Sequence, residues 1–303
     1  MGLVHIGFGV PMAGSWATPE NQLVVARRAE ELGYRSLWTL QRILNSPDPA
    51  DTSYRQVPDP LLTLAYLAGH TSTARLGVAV VNIPFVSPAL LAKQTATLDR
   101  LSHGRLDLGL GLGWMPAEFV ASGVSTQGRA ARAREFLDVL TALWTGHAGA
   151  YEGEFYTLPE VTSSPTPVQQ PRPPILLGGG SDAALRRAGR LADGWISASR
   201  HDPDQLGPAV ATVKRAAEEA GRDPDALRFV CRLATGGAIH GPHSPLGGSY
   251  ARIRGAGAWL AERGFTELFY DPNFDPAIVG ADVPPDVALG RATDMMAELM
   301  GTA

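Results

Sequence analysis

The chain has one cysteine, Cys231, in 303 residues, so it can form no disulfide within itself, and nothing near that thiol has the spacing of a metal site. Long apolar runs are missing as well. None approaches the ~20 residues that span a bilayer, and Met1-Gly2-Leu3-Val4-His5-Ile6-Gly7 has no basic stretch followed by an apolar one, as a secretion signal would. Positive charge is not in excess: 26 Lys and Arg against 30 Asp and Glu give a formal net charge of -4 and a pI near 6.0. Such a chain offers no broad cationic field to nucleic acid or anionic lipid. These absences argue against export, membrane insertion and polyanion binding, and leave the cytoplasm as the expected compartment and a small molecule as the expected partner.

What is present is enough apolar material for a large core. Hydrophobic residues make up 45% of the chain and charged residues 18%, a balance that excludes disorder as the main state. Short aliphatic or β-branched runs alternate with longer amphipathic ones from end to end, the pattern of repeated βα units. Eight strands are predicted, at Val4–Val10, Ser36–Leu40, Leu76–Ile83, Leu106–Leu110, Ile175–Gly178, Gly194–Ser197, Arg228–Gly236 and Glu267–Asp271. Helices are predicted after each, among them Thr18–Leu32, Asp59–His70, Arg129–Thr145 and Ser249–Arg263. Residues 146–174, rich in proline and containing Tyr151-Glu152-Gly153-Glu154-Phe155-Tyr156 as a short hairpin, interrupt the rhythm between the fourth and fifth units. They are expected to form an insertion over the mouth of one barrel spanning residues 1–303, because four more βα units are needed to close the sheet. Periodicity counts strands without closing them, so a doubly wound open sheet is the structural alternative.

Two glycine-rich segments could carry chemistry. Gly178-Gly179-Gly180-Ser181 follows an apolar strand and opens a helix, where converging backbone N–H groups and the helix dipole can hold a phosphate; a tight connection is the plain alternative. Gly109-Leu110-Gly111-Leu112-Gly113-Trp114 ends the fourth strand with three glycines at alternate positions, leaving room for something flat or else for a crowded bulge.

The run Gly104-Arg105-Leu106-Asp107-Leu108-Gly109-Leu110-Gly111-Leu112-Gly113-Trp114, with Glu118-Phe119 after it, closely resembles the fourth-strand motif of luciferase-like, F420-dependent oxidoreductases. So do Pro173–Gly180, Ala188–Trp195, Ala29–Trp38, Leu90–Arg105 and Tyr151–Leu158, in the right order; the resemblance is good to about residue 200 and thins beyond. It implies a (β/α)8 TIM barrel, a flavin-type cofactor at the C-terminal mouth, and a phosphate held by Gly178, Gly179, Gly180 and Ser181. It also implies a non-prolyl cis peptide at Ala79–Val80 in the third strand, backing the ring, with Asn82 at the ring's hydrogen-bonding edge and Gly111, Gly113 and Trp114 beside it. Similar proteins are often homodimers.

One departure bears on mechanism. Where many F420-dependent relatives have Asp-His after the second strand, this chain has Gln41-Arg42. Gln41 can still hydrogen-bond a ring, whereas Arg42 cannot donate a proton near neutral pH, so it is a candidate for an anionic substrate, an acidic cofactor tail or a surface ion pair. Glu118 is expected to brace the helix after the fourth strand, and His5 to be a satisfied histidine inside the barrel. His240 and His243 lack a nearby acidic or cysteine partner, so no metal site is expected. The resemblance implies hydride transfer between coenzyme F420 and a small organic substrate. An FMN-dependent monooxygenase on the same barrel and a cofactor-binding protein without turnover are the rivals.

Overall fold

A computed structural model describes residues 4–48, 54–236 and 244–301. Eight parallel strands form a closed barrel: β1 (His5–Gly9), β2 (Ser36–Thr39), β3 (Arg75–Asn82), β4 (Leu106–Gly111), β5 (Ile175–Gly178), β6 (Gly194–Ile196), β7 (Arg228–Ala234) and β8 (Glu267–Asp271). The ring closes between first and last, with His5 opposite Glu267 and Phe8 opposite Tyr270, which rules out the open sheet. Among the described residues no helix is long and apolar enough to cross a membrane.

The outer helices begin by a shared device. Thr18, Asp59, Ser87 and Asp202 each accept a hydrogen bond from a backbone N–H of the first turn, and each is followed by proline at the first helical position. The cap satisfies an orphan donor while proline, lacking an N–H, leaves none exposed. The helix predicted over Ser249–Arg263 is instead two short pieces, Tyr250–Arg254 and Ala256–Ala261. They part at Gly255, in a Gly-Ala-Gly stretch whose helix propensity is poor.

The large apolar core lies between barrel and helices, and a small one, around Trp38, Leu176, Ile196, Val230 and Phe269, fills the barrel itself. Trp38 stacks on Phe269 with ring centroids 5.0 Å apart. Below them, at the N-terminal ends of the strands, Asp107 accepts hydrogen bonds from Arg75 and Arg228 at 2.6–3.0 Å. Arg228 also donates to Glu267, which accepts from Ser36 and Trp38 in turn. This end of the barrel is therefore plugged and fully paired. His5, expected inside, is exposed: it is the first residue of β1, on the N-terminal rim.

Residues 146–174 form two small antiparallel pairs, His147–Ala148 with Val161–Thr162 and Tyr151–Glu152 with Thr157–Leu158. Two carboxylates of the outer helices tie the segment down. Glu135 accepts from the N–H groups of Glu154, Phe155 and Tyr156, and Asp99 from those of Val168 and Gln169. None of its residues lines the two chambers at the mouth, although Phe155 packs where a Cβ on Gly128, a lining residue of the larger one, would stand.

Candidate active site

Two adjoining chambers open at the C-terminal ends of the strands, the end where barrels of this kind carry their sites. The larger, of about 820 Å3, runs from Ala79, Val80 and Asn82 of β3, past Gly111–Trp114, to Gly178–Ser181 and Arg187, with Arg232 of β7 also in its wall. The smaller, of about 540 Å3, shares Tyr54, Trp114, Ala198 and Ser199 with it and adds Arg42, Met115 and Arg200.

The floor of the larger chamber is the expected break in β3. The Ala79–Val80 peptide is cis, and the β3–β4 register slips between Val78 and Val81. The glycines of β4 make room for this bulge. A Cβ on Gly109 would stand 2.1 Å from the Val78 carbonyl oxygen, and one on Gly111 would stand 2.6 Å from Val80 Cγ2. Gly111 does line the chamber, but the space beside it holds Val80, so the crowded-bulge reading accounts for the alternate glycines. Gly113 is hemmed by Phe85 and Phe119, each 3.0 Å from where its Cβ would be.

At the far end, Gly179 has φ +122°, and a Cβ there would lie 2.7 Å from that of Ala184, so only glycine suits the turn. Ser181 caps the following helix, Asp182–Leu191, through the Ala184 N–H, and the Gly179 carbonyl accepts from Trp195 Nε1 at 2.8 Å. Gly180 and Ser181 keep backbone N–H groups without a protein acceptor among the described residues. Arg187, on the same helical face as Ser181 and Ala184, lines this end of the chamber, and burial pushes its guanidinium pKa down. Arg129 lines the same chamber and donates to the Gly113 carbonyl at 3.0 Å. These groups suit a phosphate and further negative charge.

The polar residues expected to meet a ring are first of all tied to one another. Gln41 Oε1 accepts from the backbone N–H and the side-chain amide of Asn82 at 2.9 and 3.1 Å, and Asn82 Oδ1 accepts from the Gly113 N–H at 3.0 Å. This chain locks together the ends of β2, β3 and β4. Asn82 lines the chamber and Gln41 does not. Arg42 is no surface ion pair: its side chain is 5% exposed, 3.2 Å from Glu118, and its guanidinium lies between the rings of Tyr54 and Trp114 at 4.4 and 4.5 Å. Glu118 braces the loop after β2 rather than its own helix, since the same oxygen accepts from the Ile43 and Leu44 N–H groups. Trp114 remains 68% exposed and flanks both chambers.

Among the described residues, the ionisable side chains lining the chambers are Tyr54 and Arg42, Arg129, Arg187, Arg200 and Arg232, with no Asp, Glu, His or Lys. Sequence reasoning missed Arg129, Arg187, Arg200, Arg232 and Tyr54. For Arg187 the signal was there, three and six residues along a helical face from Ala184 and Ser181. For Arg232 it was a charge among apolar residues in the second half of its strand. Among the described residues no cluster of His, Cys, Asp and Glu could hold a metal ion; His240 and His243 lie outside the described residues.

Residues 3–235 match the luciferase-like monooxygenase family, and the chain belongs to it. An uncharacterized protein of Mycobacterium tuberculosis is 36% identical over 211 residues, 65% of this chain and 72% of that protein. The crystal structure of the monooxygenase RslO1 from Streptomyces bottropensis has the same fold, with a TM-score of 0.79 over 97% of this chain and 98% of that one, at 23% identity. An F420-dependent secondary alcohol dehydrogenase, in complex with an F420-acetone adduct, matches at a TM-score of 0.78 over 98% and 99% of the two chains, at 16% identity.

Proposed function

We propose that this chain is an oxidoreductase that binds the deazaflavin coenzyme F420 in the larger chamber and acts on a small organic substrate entering through the smaller one. The observation that carries this reading is the chamber itself, which joins the β3 bulge to an N–H-lined glycine turn under two arginines and, among the described residues, has no carboxylate in its wall. Val80 would back the ring, Gly178–Ser181 would hold the phosphate, and Arg129 and Arg187 would meet the acidic tail that distinguishes F420 from FMN. The bound ring supplies the two-electron chemistry, and the protein supplies orientation and exclusion of water. Among the described residues no lining side chain has a carboxylate or imidazole to offer a proton, and Tyr54 is the one phenol among those linings.

Titration of the purified protein with F420 and with FMN, followed by quenching of Trp114 and the other tryptophans, tests the reading. F420 is expected to bind at least about tenfold tighter, a difference of ~1.4 kcal/mol. Tighter binding of FMN would instead favour an FMN-dependent monooxygenase, for which the same cradle and bulge serve. Binding of either with no turnover across a substrate panel would favour a carrier.

A further inference from the structure

Two arginines stand on the barrel-facing side of β7: Arg228, bound into the N-terminal network, and Arg232 four residues on, at the mouth. Arg232 follows Val230, which belongs to the interior core, whereas Phe229, Cys231 and Leu233 face the helices. Its side chain is 11% exposed and reaches across the barrel. Of the five N–H groups of a guanidinium, two have acceptors among the described residues: Nε donates to Asp271 Oδ2 at 2.7 Å, and Nη1 to the carbonyl oxygen of Ala79 at 3.3 Å. Nη2 is buried without any acceptor among the described residues. The contact with Ala79 sets the guanidinium against the cis peptide that forms the chamber floor.

Its ion-pair partner is turned away from the chamber. Asp271 Oδ1 accepts from both the backbone and the side-chain amide of Asn273, at 3.1 and 2.8 Å. The pair is therefore a dipole with its negative end satisfied inside β8 and its positive end, rich in unused donors, beside the bulge. A buried cation with spare donors suits an acceptor that grows more negative when a ligand changes state.

We propose that Arg232 is a positioning and charge-stabilising residue for the cofactor: it donates to the carbonyl-bearing edge of the bound ring and holds the negative charge that edge gains on reduction. This rests on the cofactor reading above, and binding of oxidised cofactor separates the two ideas. The probe is whichever of F420 and FMN the unaltered protein binds more tightly. Arg232→Gln is expected to leave the Kd of the oxidised cofactor within about threefold while weakening the reduced form about tenfold more. An anaerobic redox titration of the bound cofactor would then show a midpoint about 30 mV lower. Arg232→Lys, which keeps the charge and can keep the Asp271 pair, is expected to lose about threefold in the same preference. It carries the test alone if Arg232→Gln does not fold, as a melting curve of the cofactor-free variant would reveal. Equal weakening of both redox states, or no change in midpoint, would overturn the assignment and leave Arg232 a packing element. Failure of the unaltered protein to bind either cofactor would overturn the earlier reading and this one with it.

Discussion

The two ends of the barrel are built from the same residue types to opposite effect. At the N-terminal end, Arg75 and Arg228 close on Asp107, and Arg228 bridges on to Glu267, so each charge in the network finds an opposite one. At the C-terminal end, Arg129 and Arg187 have no acidic partner among the described residues, and Arg232 has spare donors despite its pair with Asp271. An arginine that is fully paired stabilises a fold, whereas one left incompletely paired in a concave wall is an electrostatic offer to a ligand. The difference separates residues that close the barrel from residues that wait for something to bind.

Removing Asp107 is the strongest way to break this contrast. Asp107 is fully buried, and its loss would leave two guanidinium groups facing one another. Asp107→Asn is expected to cost about 3–5 kcal/mol of stability, as breaking a buried ion pair does, while folded molecules keep their cofactor affinity; a denaturant titration and a binding isotherm measure the two. The same residue gives the fold an acid limit. Burial pushes the Asp107 carboxyl up, but hydrogen bonds and charge from Arg75 and Arg228 outweigh it and hold the pKa below the ordinary carboxylate value. A carboxylate depressed in the folded state contributes stability that is full above its unfolded pKa of ~3.9 and is lost as pH falls toward the folded value. Stability should therefore fall below about pH 4 in the unaltered protein and by less in Asp107→Asn.

The sequence made the architecture legible and left the charges of the mouth obscure, for physical reasons. Strand and helix positions follow from alternation and from cap-proline pairs such as Thr18-Pro19, which act locally. The glycine turn is readable from its place between an apolar strand and a helix, whereas the Ala79–Val80 bond is reached only through resemblance, since nothing local in Gly77–Asn82 dictates a cis bond. The role of Arg42 was not readable, because Glu118, its partner, lies far along the chain and on a different unit. Gln41 and Asn82 were expected to turn toward a ring, and they bond to each other because both sit at adjacent strand ends. The position of residues 146–174 depends on Glu135 and Asp99, whose carboxylates take up backbone N–H groups far along the chain, a pairing visible only once the helices are packed.

A smaller effect would sharpen the contrast at the mouth itself. Among the described residues Arg187 has no acceptor to leave stranded, so Arg187→Ala should change stability by less than about 0.5 kcal/mol. The affinity for a phosphate-bearing cofactor should fall about tenfold, or ~1.4 kcal/mol. Riboflavin, which lacks the phosphate, should bind the variant and the unaltered protein alike. Equal losses for F420 and riboflavin would show that Arg187 shapes the chamber without reading its anionic end.

The smallest expected effect concerns the residue next to Arg232. Cys231 lies on the opposite face of β7, 1% exposed among apolar neighbours, and burial pushes its thiol up to about 12 against a weak contact from Ser197. So little thiolate exists near neutral pH that alkylating reagents should leave it unmodified in the native protein and label it fully in denaturant. Cys231→Ala should cost about 1 kcal/mol, the order of one small buried apolar group, with no change in cofactor affinity or midpoint potential. A single step along the strand thus moves from a side chain that only packs to one that faces the chamber. If Cys231→Ala shifted the midpoint as much as Arg232→Gln does, the effect of Arg232 would be traced to strand position and not to its charge.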